Sequence, residues 1–225
     1  MNFAQSLSGP RYGPARGGKP RQLVVLLHGW GADGNDLIGL APALAPVLPE
    51  AEFLSPDGPF PCDAGFGRQW FSLGDRSPAG DMAEPVMAAR LGAVSPMIDG
   101  FIDAALQERN LGGDKLALVG FSQGTMAALY VGLRRANGLA GILGYSGHLV
   151  AGKGLAQPGR ARPEILLVHG DDDEILPVAA TRAAEKILKA EGYKLSAVYR
   201  RGLGHGIDEE GLRAGAAFLK RVLAA

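Results

Sequence analysis

Residues 115–135 read KLALVGFSQGTMAALYVGLRR. Residues 116–119 form an apolar run with no polar alternation, and after Gly120-Phe121-Ser122-Gln123-Gly124 the chain turns to helix-forming residues. The pattern predicts a strand covered on both faces, a sharp turn and a helix. In that setting GxSxG has a mechanical meaning. The turn forces the serine into a strained conformation with its Oγ above the sheet, and the glycines avoid clashes where strand and helix converge. As a bare pentapeptide the same letters would fill an ordinary turn, so the flanking elements carry the reading.

Working outward, residues 23–27, 142–143 and 165–168 are further apolar runs of the buried-strand kind, with 52–55 and 194–199 as plausible strands. Between them, Met87, Leu91, Val94, Ile98, Phe101, Ile102 and Ala105 recur at helical spacing, with Pro85 suited to a first turn and Asn110-Leu111-Gly112 to a stop. Pro96 should kink that helix. Residues 178–190, stopped by Gly192, and 208–223 read as two more amphipathic helices. The expected architecture is α/β, a mostly parallel central sheet with helices on both faces. Residues 1–20 are expected to be an N-terminal arm or edge hairpin, and 21–225 a single domain.

Lys+Arg and Asp+Glu balance at 23 each, and no basic run appears, which argues against nucleic acid or an anionic membrane as partner. Cys62 is the single cysteine, so neither an internal disulfide nor a thiolate metal cluster can form. The N-terminal stretch lacks a basic segment followed by an apolar core, and no apolar run approaches the ~18 residues of a membrane span. A cytoplasmic protein without integral membrane association is expected. Residues 55–80, rich in Gly and Pro, make a long loop of the kind that often serves function and are expected to wall the site. Cys62 lies in it with no flanking base.

A serine hydroxyl is a poor nucleophile near neutral pH, so a base must take its proton and a carboxylate must orient that base. Around such an elbow the partners follow in the order serine, acid, histidine. Of the 4 histidines, His28, His148 and His169 come too early, which leaves His205 in Gly202-Leu203-Gly204-His205-Gly206. His169 reads as structural. The acid lies in Gly170-Asp171-Asp172-Asp173, where spacing alone does not choose and some aspartates would merely cap the following helix.

Taken in order, LLHGWGADG, GRQWFSL, GFSQG, HGDDDEILP and GLGHGI resemble the α/β-hydrolase carboxylesterases, the family that includes phospholipase-type esterases and acyl-protein thioesterases. The resemblance runs from about Leu23 to the C-terminus. It implies an α/β-hydrolase fold and a serine carboxylesterase acting on small or medium acyl esters through an acyl-enzyme, with acyl-protein thioesterase or lysophospholipase activity as the alternative by the same route. Residue by residue it implies Ser122 as nucleophile, His205 as general acid/base and Asp173, the second aspartate of the HGDxD pattern, as the carboxylate that orients the base. The oxyanion hole would be the backbone amides of Trp30 and Gln123. No cofactor and no metal are implied. The partner would be a small ester or thioester, and a homodimer is a common family assembly, though no patch in the sequence marks its interface.

The chain departs from the commonest family pattern at Trp30, Thr125 and Glu174, where Leu, Gly and Pro are frequent. Trp70, Phe71 and Thr125 are expected to line the substrate pocket, against the plainer reading that an aromatic pair anchors its loop to the core.

Two rivals remain. Gly29-Trp30-Gly31-Ala32-Asp33-Gly34 matches the GxGxxG of a dinucleotide-binding turn, with Glu52 or Asp57 where a ribose-binding acid would fall. That leaves the three later motifs unexplained. A hydrolase-fold protein that binds without catalysis would normally have lost one of serine, acid or histidine, and all three are present.

Overall fold

The computed structural model describes residues 7–74, 83–150, 155 and 162–224. Parts of the expected arm (1–6) and long loop (75–80) lie outside them.

The elements run β1 (Arg11–Tyr12), β2 (Gln22–Leu27), α1 (Gly34–Leu37), α2 (Ala41–Leu44), β3 (Ala51–Leu54), β4 (Phe60–Pro61), β5 (Arg68–Gln69), α3 (Glu84–Arg109), β6 (Leu116–Phe121), α4 (Gln123–Gly132), β7 (Gly141–Tyr145), β8 (Glu164–Gly170), α5 (Val178–Ala190), β9 (Leu195–Arg200) and α6 (Glu209–Leu223). A 7-stranded sheet has the order β1-β3-β2-β6-β7-β8-β9. Every pairing in it is parallel except that of β1 with β3. The expected arm or edge hairpin is therefore an edge strand laid against β3, Arg11 opposite Leu54.

Strand alternation divides the core. On β2, Leu23, Val25 and Leu27 face one way, joining Leu118 and residues of α3, α4 and α5 such as Ile98, Leu129 and Leu188. Val24 and Leu26 face the other, against Leu44 of α2 and Phe218 and Leu219 of α6. Each central strand is thus apolar on both faces, which is why its sequence reads as a continuous run. Helix α3 begins at a proline-bearing first turn, runs through Pro96, and ends at Asn110 in the left-handed conformation, φ 55°. Asp208 caps α6, accepting from the Gly211 amide.

Gly34–Leu44 forms two short helices joined by a 3-10 turn, an element absent from the sequence reading. The long loop carries a small antiparallel pair, Phe60 opposite Gln69 and Pro61 opposite Arg68. Among the described residues no helix is long and apolar enough to cross a membrane.

Candidate active site

Parallel strands deliver their C-terminal ends to one edge of the sheet, and the loops leaving β2, β6, β8 and β9 carry the opening glycine loop, Ser122, Asp173 and His205 there. Ser122 sits between β6 and α4 at φ 53°, ψ −118°. A non-glycine residue held in so sparse a region costs ~1–3 kcal/mol. Closely packed neighbours keep it there. The Ser122 amide donates to Tyr145 O at 2.9 Å, and the Thr125 amide donates to Ser122 O at 3.0 Å. The motif glycines are there for space: a Cβ on Gly120 would lie 2.4 Å from Gly124 O, and one on Gly124 would lie 1.8 Å from Leu27 O.

Of the three clustered aspartates, only Asp173 turns to the histidine. His205 Nδ1 donates to Asp173 Oδ2 at 2.8 Å. The Ile175 and Leu176 amides both donate to Asp173 Oδ1, at 2.9 Å each. Burial alone would raise the Asp173 carboxyl's pKa; the Leu176 amide, His205 and the Ile175 amide outweigh it and hold the value below the usual carboxylate range. Asp171 is spent on the turn, its Oδ1 accepting from the Gly202 amide, and Asp172 is exposed. The His205 ring lies 5.0 Å from the Phe121 ring, centroid to centroid, which sets it beside the residue preceding Ser122.

His169 bonds to backbone, with Nε2 2.8 Å from Leu176 O. The same nitrogen is 3.1 Å from Asp173 Oδ2, so it also faces the oxygen that receives His205, a contact spacing did not reveal.

The opening loop runs along the serine turn. A Cβ on Gly29 would lie 3.1 Å from the Phe121 ring and 3.5 Å from Ser122 Cβ, which puts the backbone leading to Trp30 next to the elbow that carries Gln123. The GxGxxG match is therefore met by a serine side chain, and its supposed acids are occupied. Glu52, inside β3, is ion-paired with Arg109, and Asp57 accepts from the Gly34 amide.

His28, set aside on chain order, holds this loop. Its Nδ1 donates to Gly29 O at 2.7 Å, and its Nε2 accepts from the Gly58 amide at 2.8 Å. That pair of bonds requires a neutral ring, and burial lowers the His28 pKa from 6.5 against the pull of Gly29 O and the carboxylates of Asp57, Asp33 and Asp36. On acidification below 6.5 the unfolded chain takes up a proton that folded His28 refuses. This contribution to stability is therefore complete above that pH and declines beneath it, by up to ~1.4 kcal/mol per pH unit. Melting temperature should fall less in His28→Gln than in the wild type between about pH 7.5 and about pH 5.5; equal slopes would contradict a neutral, pinned His28.

Gln123 also acts through its side chain. Its Oε1 accepts from the Trp70 amide at 2.9 Å and its Nε2 donates to Phe71 O at 2.8 Å. Trp70 Nε1 in turn donates to His28 O at 2.9 Å. Trp70 and Phe71 are buried in the core, and the fully buried Thr125 donates its hydroxyl to Tyr145 O. The three residues expected to line a substrate pocket are thus packed as scaffold, tying the long loop and β7 to the elbow. Trp30 is 38% exposed, its ring nitrogen donating to Gln69 Oε1. It borders a groove of about 420 Å³ shared with Phe66, Asp33 and Asp36. A second groove, about 560 Å³, lies between the first described residues, the end of β3 and α3, and none of Ser122, Asp173 and His205 lines it. Among the described residues no three His, Cys, Asp or Glu side chains gather as a metal site.

A central parallel sheet, a strained serine at a strand-to-helix turn and a histidine–aspartate pair at the same edge define an enzyme of the α/β-hydrolase fold. Residues 15–223 match the model of the phospholipase/carboxylesterase family, and the chain belongs to that family. It is similar to esterase YpfH of Escherichia coli K12, 27% identical over 194 residues that span 86% of this chain and 79% of that protein. It is also similar to acyl-protein thioesterase 1 of Gibberella zeae, 28% identical over 216 residues, 89% and 90% of the two chains. The crystal structure of esterase PE8 superposes with a TM-score of 0.89 at 36% identity, covering 97% of this chain and 100% of that one.

Proposed function

We propose that the protein cleaves small or medium acyl esters by a Ser122–His205–Asp173 relay through an acyl-enzyme. The observation that carries this reading is the His205 Nδ1–Asp173 Oδ2 hydrogen bond beside the strained Ser122 turn. With its proton committed on Nδ1, His205 keeps Nε2 as a lone pair able to accept the Ser122 proton. Oγ attacks the carbonyl carbon, and the amides of Trp30 and Gln123 receive the oxyanion, each such donor contributing ~3–4 kcal/mol to the transition state. The tetrahedral intermediate then collapses, the C–O or C–S bond breaks, and the leaving group takes the proton from His205. Water adds to the acyl-enzyme by the same proton path, releasing acid and free Ser122.

The names of the relatives support both oxyester and thioester substrates, and the same relay serves either. A cytoplasmic setting fits the lone, buried Cys62. Hydrolysis of p-nitrophenyl esters of increasing chain length, run beside an acyl thioester, tests the proposal. Turnover of at least one short or medium ester is expected, and inertness toward the whole panel would leave a hydrolase-fold binding protein.

A further inference from the structure

The Asp173 carboxylate is shut off from solvent, so its acceptor positions must be met by the protein. Oδ1 is met twice, by the Ile175 and Leu176 amides. At Oδ2, His205 Nδ1 stands 2.8 Å away and His169 Nε2 stands 3.1 Å away. His205 is the ring that serves the serine. His169, buried near the end of β8, has no task in the relay described above.

Its surroundings fix where its hydrogen sits. Nε2 faces Asp173 Oδ2 and, at 2.8 Å, Leu176 O, and since a carboxylate and a carbonyl can only accept, Nε2 must be the donor. On the far side of the ring, Nδ1 lies 2.6 Å from the Thr181 hydroxyl of α5, which reaches Gly147 O at 2.8 Å. Gly147 abuts the serine turn, where a Cβ on it would stand 2.9 Å from Ser122 O. The ring is held at both ends, and a buried chain of polar groups runs from Asp173 back to that turn. The two amides at Oδ1 anchor one oxygen only; a donor at Oδ2 supplies the second constraint on the plane of the carboxylate.

We propose that His169 is a positioning residue for the Ser122–His205–Asp173 relay: its Nε2–H fixes Asp173 Oδ2 toward His205 and draws on the same negative charge. This rests on the ester-hydrolase reading above. Loss of the constraint lets Oδ2 swing, and a displacement of ~1 Å in such a constellation can cost ~10²-fold in rate. Loss of the donor also leaves more of the carboxylate's charge to bear on a protonated His205. His205 then keeps its proton to higher pH, and the rising limb of kcat/KM moves upward. Asp173 is the ionisable group that meets both rings. His148 acts on His169 through space, and the ring beside His205 is that of the uncharged Phe121.

Kinetics on one p-nitrophenyl ester across the pH range, in the wild type, His169→Leu and His169→Gln, test this. Leucine removes the donor, whereas the glutamine amide sets an N–H near the place of Nε2. In His169→Leu, kcat should fall about tenfold with KM unchanged, and the midpoint of the kcat/KM profile should rise by about half a pH unit or more. His169→Gln should restore most of both. A merely structural histidine would lower activity without moving the midpoint. An unmoved midpoint in the leucine variant, or a glutamine variant as impaired as it, would therefore overturn the proposal while leaving the hydrolase intact. If the leucine variant does not fold, nitrogen NMR of the wild-type imidazoles decides: hydrogen is expected on His169 Nε2, and a bare Nε2 would overturn the proposal. A wild-type chain inert toward every ester would instead overturn the reading beneath it.

Discussion

Replacing Ser122 by alanine is expected to lower kcat on a simple aryl ester by ~10⁶-fold, since removing the nucleophile of such a relay costs about as much as removing all of it. What remains over water would come from binding and from the two amides. The fold should survive, because nothing that holds the turn uses the Oγ: the bonds run from the Ser122 amide to Tyr145 O and from the Thr125 amide to Ser122 O. Ser122→Gly separates catalysis from stability. Glycine tolerates φ 53°, ψ −118° without the ~1–3 kcal/mol strain a side chain incurs there, and loses ~0.5–1 kcal/mol of that gain to its larger unfolded-state entropy. The glycine variant should therefore be equally inactive and melt at or above the temperature of the alanine variant. A Ser122→Ala protein that retains more than about a hundredth of wild-type kcat would exclude Ser122 as the attacking group.

The second large effect concerns the acid. Asp173→Asn is isosteric, yet it should cost ~10⁴ in kcat, and the hydrogen bonds say why. Two backbone amides donate to Oδ1, so an asparagine must keep its oxygen there and turn its NH2 toward His205 Nδ1. A donor facing Nδ1 makes that nitrogen the acceptor, moves the ring proton to Nε2, and removes the lone pair that should take the serine proton. The same NH2 would also face His169 Nε2, 3.1 Å from the oxygen it replaces. Asp172→Asn, at an exposed position, should change kcat by less than about threefold. Kinetics of the two variants on one ester provide the check, and equal losses would refute the assignment of the acid.

How far the chain could be read in advance depends on where the information lies. The central strands were legible because both their faces are buried: residues 116–119 and 165–168 admit no polar side chain, and the structure extends these runs to Leu116–Phe121 and Glu164–Gly170. The serine turn was legible because its glycines answer contacts made within a few residues or with the adjacent strand. The edge strand Arg11–Tyr12 was not, since both its residues are exposed and its pairing with Ala51–Leu54 is set some 40 residues away. The short helices of Gly34–Leu44 are too brief for periodicity to register.

In the candidate site, local spacing found Ser122 and His205 but left three aspartates equivalent. The HGDxD resemblance implied Asp173, and in the structure its carboxylate is the one that faces His205, across 32 positions of sequence. Trp70 and Phe71 were placed at a pocket by their company in a functional loop. Their burial follows from bonds to Gln123 and His28, partners 53 and 42 residues distant from Trp70, and no pattern within the loop encodes those bonds. His28 was passed over because chain order excluded it as a base, although the HG step that opens the glycine loop was the visible sign of its other task.

The central claim is that one serine, raised on a strained turn and served by His205, is nucleophilic where other hydroxyls are not. Exposure of the native chain to a p-nitrophenyl organophosphonate, followed by intact-mass and peptide-mapping mass spectrometry, tests it most directly. One covalent adduct per chain is expected, on Ser122, with p-nitrophenol released in equal amount. No adduct, or an adduct on any other residue while Ser122 stays free, would contradict it.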